Sequence, residues 1–181
     1  MFPKRYADVV ARLRVPFGFV LVIAFAWLSH PSAVSLAAGL PIAALGLALR
    51  GWAAGHLEKN SQLAESGPYR FVRNPLYVGT LIVALGLAVA SRRWLLGAIF
   101  AVVFLFVYLP VIQLEEQHLR QLFPEYDAYA RRVPALLWRG VMPRGSTRGF
   151  RWPLYRRNRE YEALIGLLLG AAFLFGKLFW G

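Results

Sequence analysis

Two stretches of this chain set acid, amide, phenol and guanidinium groups at fixed spacing beside apolar runs. The first reads His56-Leu-Glu-Lys-Asn-Ser-Gln-Leu-Ala-Glu-Ser-Gly-Pro-Tyr-Arg-Phe-Val-Arg-Asn-Pro-Leu-Tyr-Val-Gly79, and the second opens Glu115-Glu116-Gln117-His118-Leu119. In the first, Gly67-Pro68 is a turn signal. Asn74-Pro75 is a helix start, because Asn is a favoured N-cap and Pro is pre-set for the first helical position. A helix beginning there presents unpaired backbone N–H groups, whose partial positive charge suits a carboxylate or phosphate. Arg73 adds a full charge at that end, Tyr77 offers a ring face and a hydroxyl, and Gly79 leaves room for a ligand or a neighbouring helix. In the second stretch, two adjacent carboxylates at the end of an apolar run are costly unless paired or hydrated. They also lie at the negative end of the helix dipole. Each feature has a purely structural reading as well: a well-capped helix with interfacial Tyr and Arg, and acids paired with nearby arginines. Glu115-x-x-His118 has the spacing of one half of a di-iron site. The chain has only three His, no second such motif and no Cys, so no metal site and no disulfide is expected.

The elements that position these groups follow from composition. The chain has 181 residues, of which 58% are hydrophobic and 17% charged. Soluble domains are nearer ~45–50% apolar and ~25% charged. A simple soluble globule and a disordered chain are both excluded, and the pattern predicts an all-α, polytopic membrane helix bundle. Apolar runs at 15–29, 33–49, 76–90, 94–114 and 163–180 predict about five transmembrane helices in a single domain, 1–181. The first and third are shorter than the ~20 residues a span needs and must borrow flanking residues. Of the 21 Lys and Arg residues, all but Arg92, Arg93 and Lys177 fall on one side of this arrangement. The positive-inside rule therefore predicts a multi-pass protein with its amino terminus in the cytoplasm. Segments 50–75 and 115–162 then share the cytoplasmic face and carry any chemistry there. The central parts of the first four runs hold no ionisable residue, which argues against a transporter or pump.

Beyond Glu116, Leu119, Leu122, Phe123, Tyr126, Tyr129 and Val133 continue at helical spacing. Pro124 opens a new turn with Glu125 and Asp127 near its start and Arg131 and Arg132 near its end, as the dipole prefers, and Pro134 stops it. This predicts a cytoplasmic amphipathic helix lying on the bilayer. Residues 139–159 repeat Arg-Gly pairs beside Trp138, Trp152 and Tyr155. That composition fits anionic lipid at a membrane interface, with no nucleic-acid partner expected. A non-catalytic protein binding anionic lipid or a partner through this loop is the alternative reading.

Together the two stretches resemble the isoprenylcysteine carboxyl methyltransferases and their phospholipid methyltransferase relatives. The matching elements are Gly67-Pro68-Tyr69, Arg73-Asn74-Pro75-Leu76-Tyr77-Val78-Gly79, Glu115-Glu116-Gln117-His118-Leu119, Phe123, Glu125-Tyr126-Asp127-Ala128-Tyr129 and Arg132-Val133-Pro134. The resemblance covers about residues 56–134. It implies an integral membrane enzyme using S-adenosylmethionine on a lipophilic acceptor that enters from the bilayer. It implies cofactor contacts by His56, by the Ser61–Ala64 stretch with Gln62 and Leu63, which matches the family's adenosine-contacting loop by position and would act through backbone groups, and by Tyr69, Asn74, Pro75, Leu76, Tyr77 and Glu115. Arg73 and Glu116 are the catalytic candidates, Glu116 as the base an amine acceptor would need. Two positions depart from the pattern. Asn74 stands where many members carry a titratable His, and Val111 stands where the prenylcysteine enzymes carry an Arg associated with substrate.

Overall fold

The computed structural model describes residues 2–138 and 148–180, and among these every regular element is helical. The helices are α1 (Lys4–Leu28), α2 (Ala33–Ala54), α3 (Pro75–Ser91), α4 (Trp94–Val103), α5 (Leu109–Leu122), α6 (Tyr126–Arg132), α7 (Trp152–Arg157) and α8 (Tyr161–Trp180). A π-helical turn, Phe104–Tyr108, runs α4 into α5, and a 3-10 turn, Gly67–Arg70, precedes α3. The all-α membrane architecture read from composition is the one observed. Among the described residues, three helices are long and apolar enough to cross a membrane: Ala33–Ala54, Trp94–Leu122 and Tyr161–Phe179. A fourth joins them if α1 is counted as one span. Its halves, Lys4–Leu13 and Val15–Leu28, meet at 53° just before Pro16, which removes an intrahelical N–H and crowds the carbonyl four residues back. The fifth expected span is α3. At 17 residues it is about 26 Å long by helical rise, short of a ~30 Å hydrocarbon core. Five spans is therefore an approximate count.

The chain divides into two compact units. The first comprises Met1–Ala43, Ala84–His118 and Leu169–Gly181, and the second Ala44–Val83 and Leu119–Leu168.

In the first unit, α2 is opened by a reciprocal cap. Ser35 N–H donates to Ser32 Oγ at 3.2 Å, and Ser32 N–H donates to Ser35 Oγ at 2.9 Å. Here α2 and α3 meet backbone to backbone. A Cβ on Gly39 would lie 2.4 Å from Ala90 N and Gly86 O, and one on Gly86 would lie 2.3 Å from Ala43 N. Small residues let membrane helices approach this closely and associate through van der Waals contact. The π turn has a similar local cause. Pro110 cannot donate to Phe106 O, and the Tyr6 hydroxyl donates to that carbonyl at 2.7 Å instead. The end of α1 is closed by cations from far along the chain. Lys177 Nζ donates to Ala26 O and Ser29 O at 2.8 Å, and Arg93 Nε donates to Leu28 O at 3.1 Å. These are favourable partners for C-terminal carbonyls. They are also two of the three basic residues that the charge count sets apart from the rest.

In the second unit the same α2–α3 approach recurs. A Cβ on Gly46 would lie 2.6 Å from Gly79 O and Val83 N. The apolar face of α6 turns into this unit rather than toward lipid, because Tyr126 and Tyr129 are only 1% and 3% exposed. They cluster with Leu63 and Val133, and Leu119, Phe123 and Ala130 pack against them. The amphipathic pattern of α6 thus reflects an intramolecular core.

Replacing Gly86 with Ala is expected to lower the apparent melting temperature of the detergent-purified protein by several degrees. Gly166→Ala, at a position with no atom within 4 Å of the added carbon, is expected to leave it unchanged. Thermal size-exclusion chromatography compares the two.

Candidate functional site

Most of the residues singled out in the first stretch lie in the second unit, and their local structure explains their spacing. Gly67 takes φ +56, and a Cβ there would fall 2.7 Å from the His56 ring. Its left-handed conformation and the close ring both require glycine. His56 Nδ1 lies 2.9 Å from Trp52 O. A carbonyl only accepts, so Nδ1 carries the proton in the neutral ring and Nε2 is left as the acceptor. The motif Gly67-Pro68-Tyr69 is thus seated on His56.

Arg73 and Asn74 bind the end of α6 and the chain beyond it. Arg73 Nη1 donates to Ala130 O at 2.8 Å and Val133 O at 3.3 Å, which places its charge at the negative end of α6. Arg73 N–H donates to Pro134 O at 2.8 Å, and Asn74 N–H and Nδ2 both donate to Ala135 O at 3.2 Å. The Tyr129 hydroxyl donates to Tyr69 O at 2.9 Å. The separated motifs Gly-Pro-Tyr, Arg-Asn-Pro and Glu-Tyr-x-x-Tyr to Arg-Val-Pro are therefore one hydrogen-bonded assembly. Pro75 opens α3 as expected, Asn74 O accepts from Tyr77 and Val78, and Leu76 and Tyr77 occupy the first turn, half-buried.

The start of α3 is held from its other side by Arg50. Its guanidinium forks onto Glu160, with Nε to Oε1 at 2.5 Å and Nη2 to Oε2 at 3.1 Å. Its Nη1 donates to Thr80 Oγ1 at 2.5 Å, and Thr80 donates in turn to Leu76 O at 2.9 Å. Glu160 is 7% exposed, so this is a buried, bidentate pair. Asn158 Nδ2 caps α2 by donating to Ala54 O and Leu57 O at 2.9 and 2.8 Å. Asn158 and Glu160, just ahead of the last helix, thus fasten it to α2 and α3.

A shallow, solvent-open cleft lies in this unit. One wall is the loop after α2, with His56, Glu58, Gln62, Leu63 and Ser66, and the other is Arg148, Gly149, Arg151 and Leu154. Three of the expected cofactor contacts, His56, Gln62 and Leu63, are brought together here. The Leu63 side chain belongs to the Tyr126 core. Tyr69, Asn74, Pro75, Leu76 and Tyr77 do not line this cleft. Glu115 and Glu116 stand on α5 in the first unit, Glu115 exposed and Glu116 half-buried, as the ~100° step between helical neighbours requires. The second wall was missed by sequence reading, which assigned its arginines to lipid. Arg151 N–H donates to Gly55 O at 2.9 Å, and its side chain pairs with Glu58 at 2.9 Å. A Cβ on Gly55 would overlap the Phe150 ring, so the glycine before His56 is the one sequence signal for this contact. The described residues contain no group of three His, Asp or Glu able to hold a metal ion.

Membrane-length helices define an integral membrane protein, and its second unit carries a cleft lined by charged and polar side chains. The phospholipid methyltransferase family model matches residues 17–126, more than half of the chain, and the chain belongs to that family. It carries a membrane methyltransferase domain of that family. It is 38% identical over 111 residues to the cobalt-zinc-cadmium resistance protein CzcN of Cupriavidus metallidurans, covering 60% of this chain and 50% of that protein. It is also 38% identical over 99 residues to the nickel-cobalt-cadmium resistance protein NccN of Alcaligenes xylosoxydans xylosoxydans, covering 54% and 45%. The chain spans about half the length of the curated relatives it matches. No solved structure matches it.

Removing the Glu160 carboxylate strands a guanidinium among α2 and α3. Glu160→Ala is expected to destabilise by about 3 kcal/mol, the range for breaking a buried pair. The double change Arg50→Met, Glu160→Leu is expected to recover most of it. Thermal unfolding of the purified variants in detergent measures both.

Proposed function

We propose that the protein transfers a methyl group from S-adenosylmethionine to a lipophilic acceptor, a lipid headgroup or an isoprenoid carboxylate, at the cytoplasmic face of the membrane. The observation that carries this reading is the cleft, built on the stretch that the family resemblance ties to adenosine, in a chain of the phospholipid methyltransferase family. The donor set fits a nucleoside. A carboxylate such as Glu58 suits a ribose diol, and an amide such as Gln62 suits the edge of adenine. His56 and the backbone of Leu63 and Ala64 complete that wall. The cofactor supplies an activated methyl on a sulfonium with a neutral leaving thioether, so the chain's task is orientation and electrostatics. In the proposed scheme the cofactor's carboxylate meets the start of α3 at the Leu76 N–H, because Pro75 has no N–H and Asn74 N–H and Nδ2 already donate to Ala135 O. Tyr69 and Tyr77 shape that region, and Glu115 binds a positive or hydroxyl group. Arg73, through its hold on α6, keeps the start of α3 in place. A carboxylate acceptor attacks without losing a proton, whereas an amine gives one up, in this scheme to Glu116. The metal resistance named for the two relatives supports no metal site in this chain.

The test is transfer of labelled methyl from S-adenosylmethionine to a total lipid extract by the full chain in detergent or bilayer, with the labelled product identified. A labelled lipophilic product is expected. Glu115→Gln is expected to weaken cofactor binding about tenfold by calorimetry, the scale of one charge-assisted hydrogen bond. No cofactor binding by the wild-type protein would overturn the reading.

The same reading includes docking of the basic segment on anionic lipid. Residues 139–147 lie outside the described residues, but the part that is described pairs exposed rings with charge. Phe150 and Trp152 are exposed, Trp152 stacks on Tyr155 at 4.9 Å, and Arg148, Arg156 and Arg157 are exposed beside them. Rings at the headgroup level with arginines above them suit an anionic interface. Neutralising Arg156 and Arg157 to Gln is expected to remove the salt-sensitive preference of the reconstituted protein for phosphatidylserine, read by lipid-protein fluorescence transfer.

A further inference from the structure

The family match ends at residue 126, yet one wall of the cleft is built by residues 148–154. This strap is fastened by independent contacts. They are the Arg151 N–H to Gly55 O bond, the Arg151–Glu58 pair, the Phe150 ring over Gly55 and the hydrogen bond from Arg148 Nη1 to Gln62 Oε1. The last of these carries chemical information. A guanidinium has five donors and no acceptor, so the atom facing it must be the amide oxygen. The exposed Gln62 amide thus takes the orientation that turns Oε1 toward Arg148. No other described residue engages its Nε2 group, which remains as a donor at the cleft wall.

Resting on the reading of this cleft as a nucleoside site, we propose that Arg148 is a positioning residue for purine recognition. It fixes Gln62 so that Nε2 donates to a ring nitrogen of the adenine. Glu58, its charge balanced by Arg151, accepts from the ribose hydroxyls. The strap thus adds to the family domain a base-reading element of its own, and the ligand is a purine nucleoside bearing a thioether or sulfonium tail. Lysine at position 148 is also an obligate donor and preserves the amide orientation, whereas alanine releases it.

The experiment uses full-length protein in detergent and S-adenosylhomocysteine as the probe, with affinity read by calorimetry. Its 1-deaza, 3-deaza and 7-deaza analogues each delete one ring acceptor. Wild-type protein is expected to bind one of the three roughly tenfold more weakly than the parent, as for the loss of one hydrogen bond. Arg148→Ala is expected to weaken the parent by a similar factor and to erase the discrimination among analogues, while Arg148→Lys retains it. A purely structural role would lower affinity and leave the discrimination in place. A second readout needs no variant: saturating S-adenosylhomocysteine is expected to slow tryptic cleavage after Arg148 and Arg151. If the wild-type protein binds the probe but Arg148→Ala keeps the same discrimination, or no protection develops at the strap, the positioning role is overturned and the methyltransferase reading stands. If the wild-type protein binds no probe at all, both are overturned.

Discussion

The closest constraint in this fold is the approach of two backbones, α2 and α3, across glycines. In each unit a missing Cβ brings the main chains to a distance that a methyl group would prohibit. In hydrocarbon there is no hydrophobic gain from hiding one apolar helix against another, so shape and close contact decide which helices associate. At the α3 start the constraint passes directly into polar architecture. A Cβ on Gly79 would lie 2.5 Å from Arg50 Cγ. Because Gly79 has none, Arg50 lies flat across α3 and reaches Thr80 and Glu160 together. One glycine therefore serves both the helix seam and the ion pair above it.

Around that pair the second unit is knitted from segments far apart in sequence. Arg73 closes α6, Asn74 holds Ala135, Tyr129 holds Tyr69, and Asn158 closes α2. These bonds join side chains to main-chain carbonyls, so each satisfies a helix end or loop that would otherwise depend on water. The motifs that carry the family resemblance thus stand on capping interactions. Arg73 illustrates the overlap: the charge that sequence reading assigned to catalysis is also the one that terminates α6.

Much of this was legible in the sequence, for identifiable reasons. Uninterrupted apolar runs show the membrane helices because no charge can be hidden there cheaply. Asn74-Pro75 marks the start of α3 because both residues act locally. The ends of α6 were legible from acids before arginines and from Pro134. What escaped was set by partners distant in the chain. The hydrophobic face of α6 reads alike whether lipid or Leu63 covers it, so periodicity alone assigned it to the bilayer. The kink and the length of α1 were hidden because Lys4 to Arg14 read as a basic leader to an apolar run. The strap escaped because Arg148 and Arg151 differ by nothing local from the other arginines of an Arg-Gly-rich segment. Only their meeting with Gln62 and Glu58 across the cleft distinguishes them.

Lys177 has one more consequence, for biogenesis. Its ammonium closes the carbonyl end of α1, as much as 151 positions earlier in the chain. While the ribosome is still making α8, that end of α1 already has Arg93 to hold Leu28 O, but Ala26 O and Ser29 O still lack the Lys177 ammonium. Its final geometry arrives late, when a cation carried on an otherwise apolar helix settles at the same end. A nascent chain halted before Lys177 would hold the last turn of α1 by Arg93 alone, with the carbonyls of Ala26 and Ser29 lacking their cation.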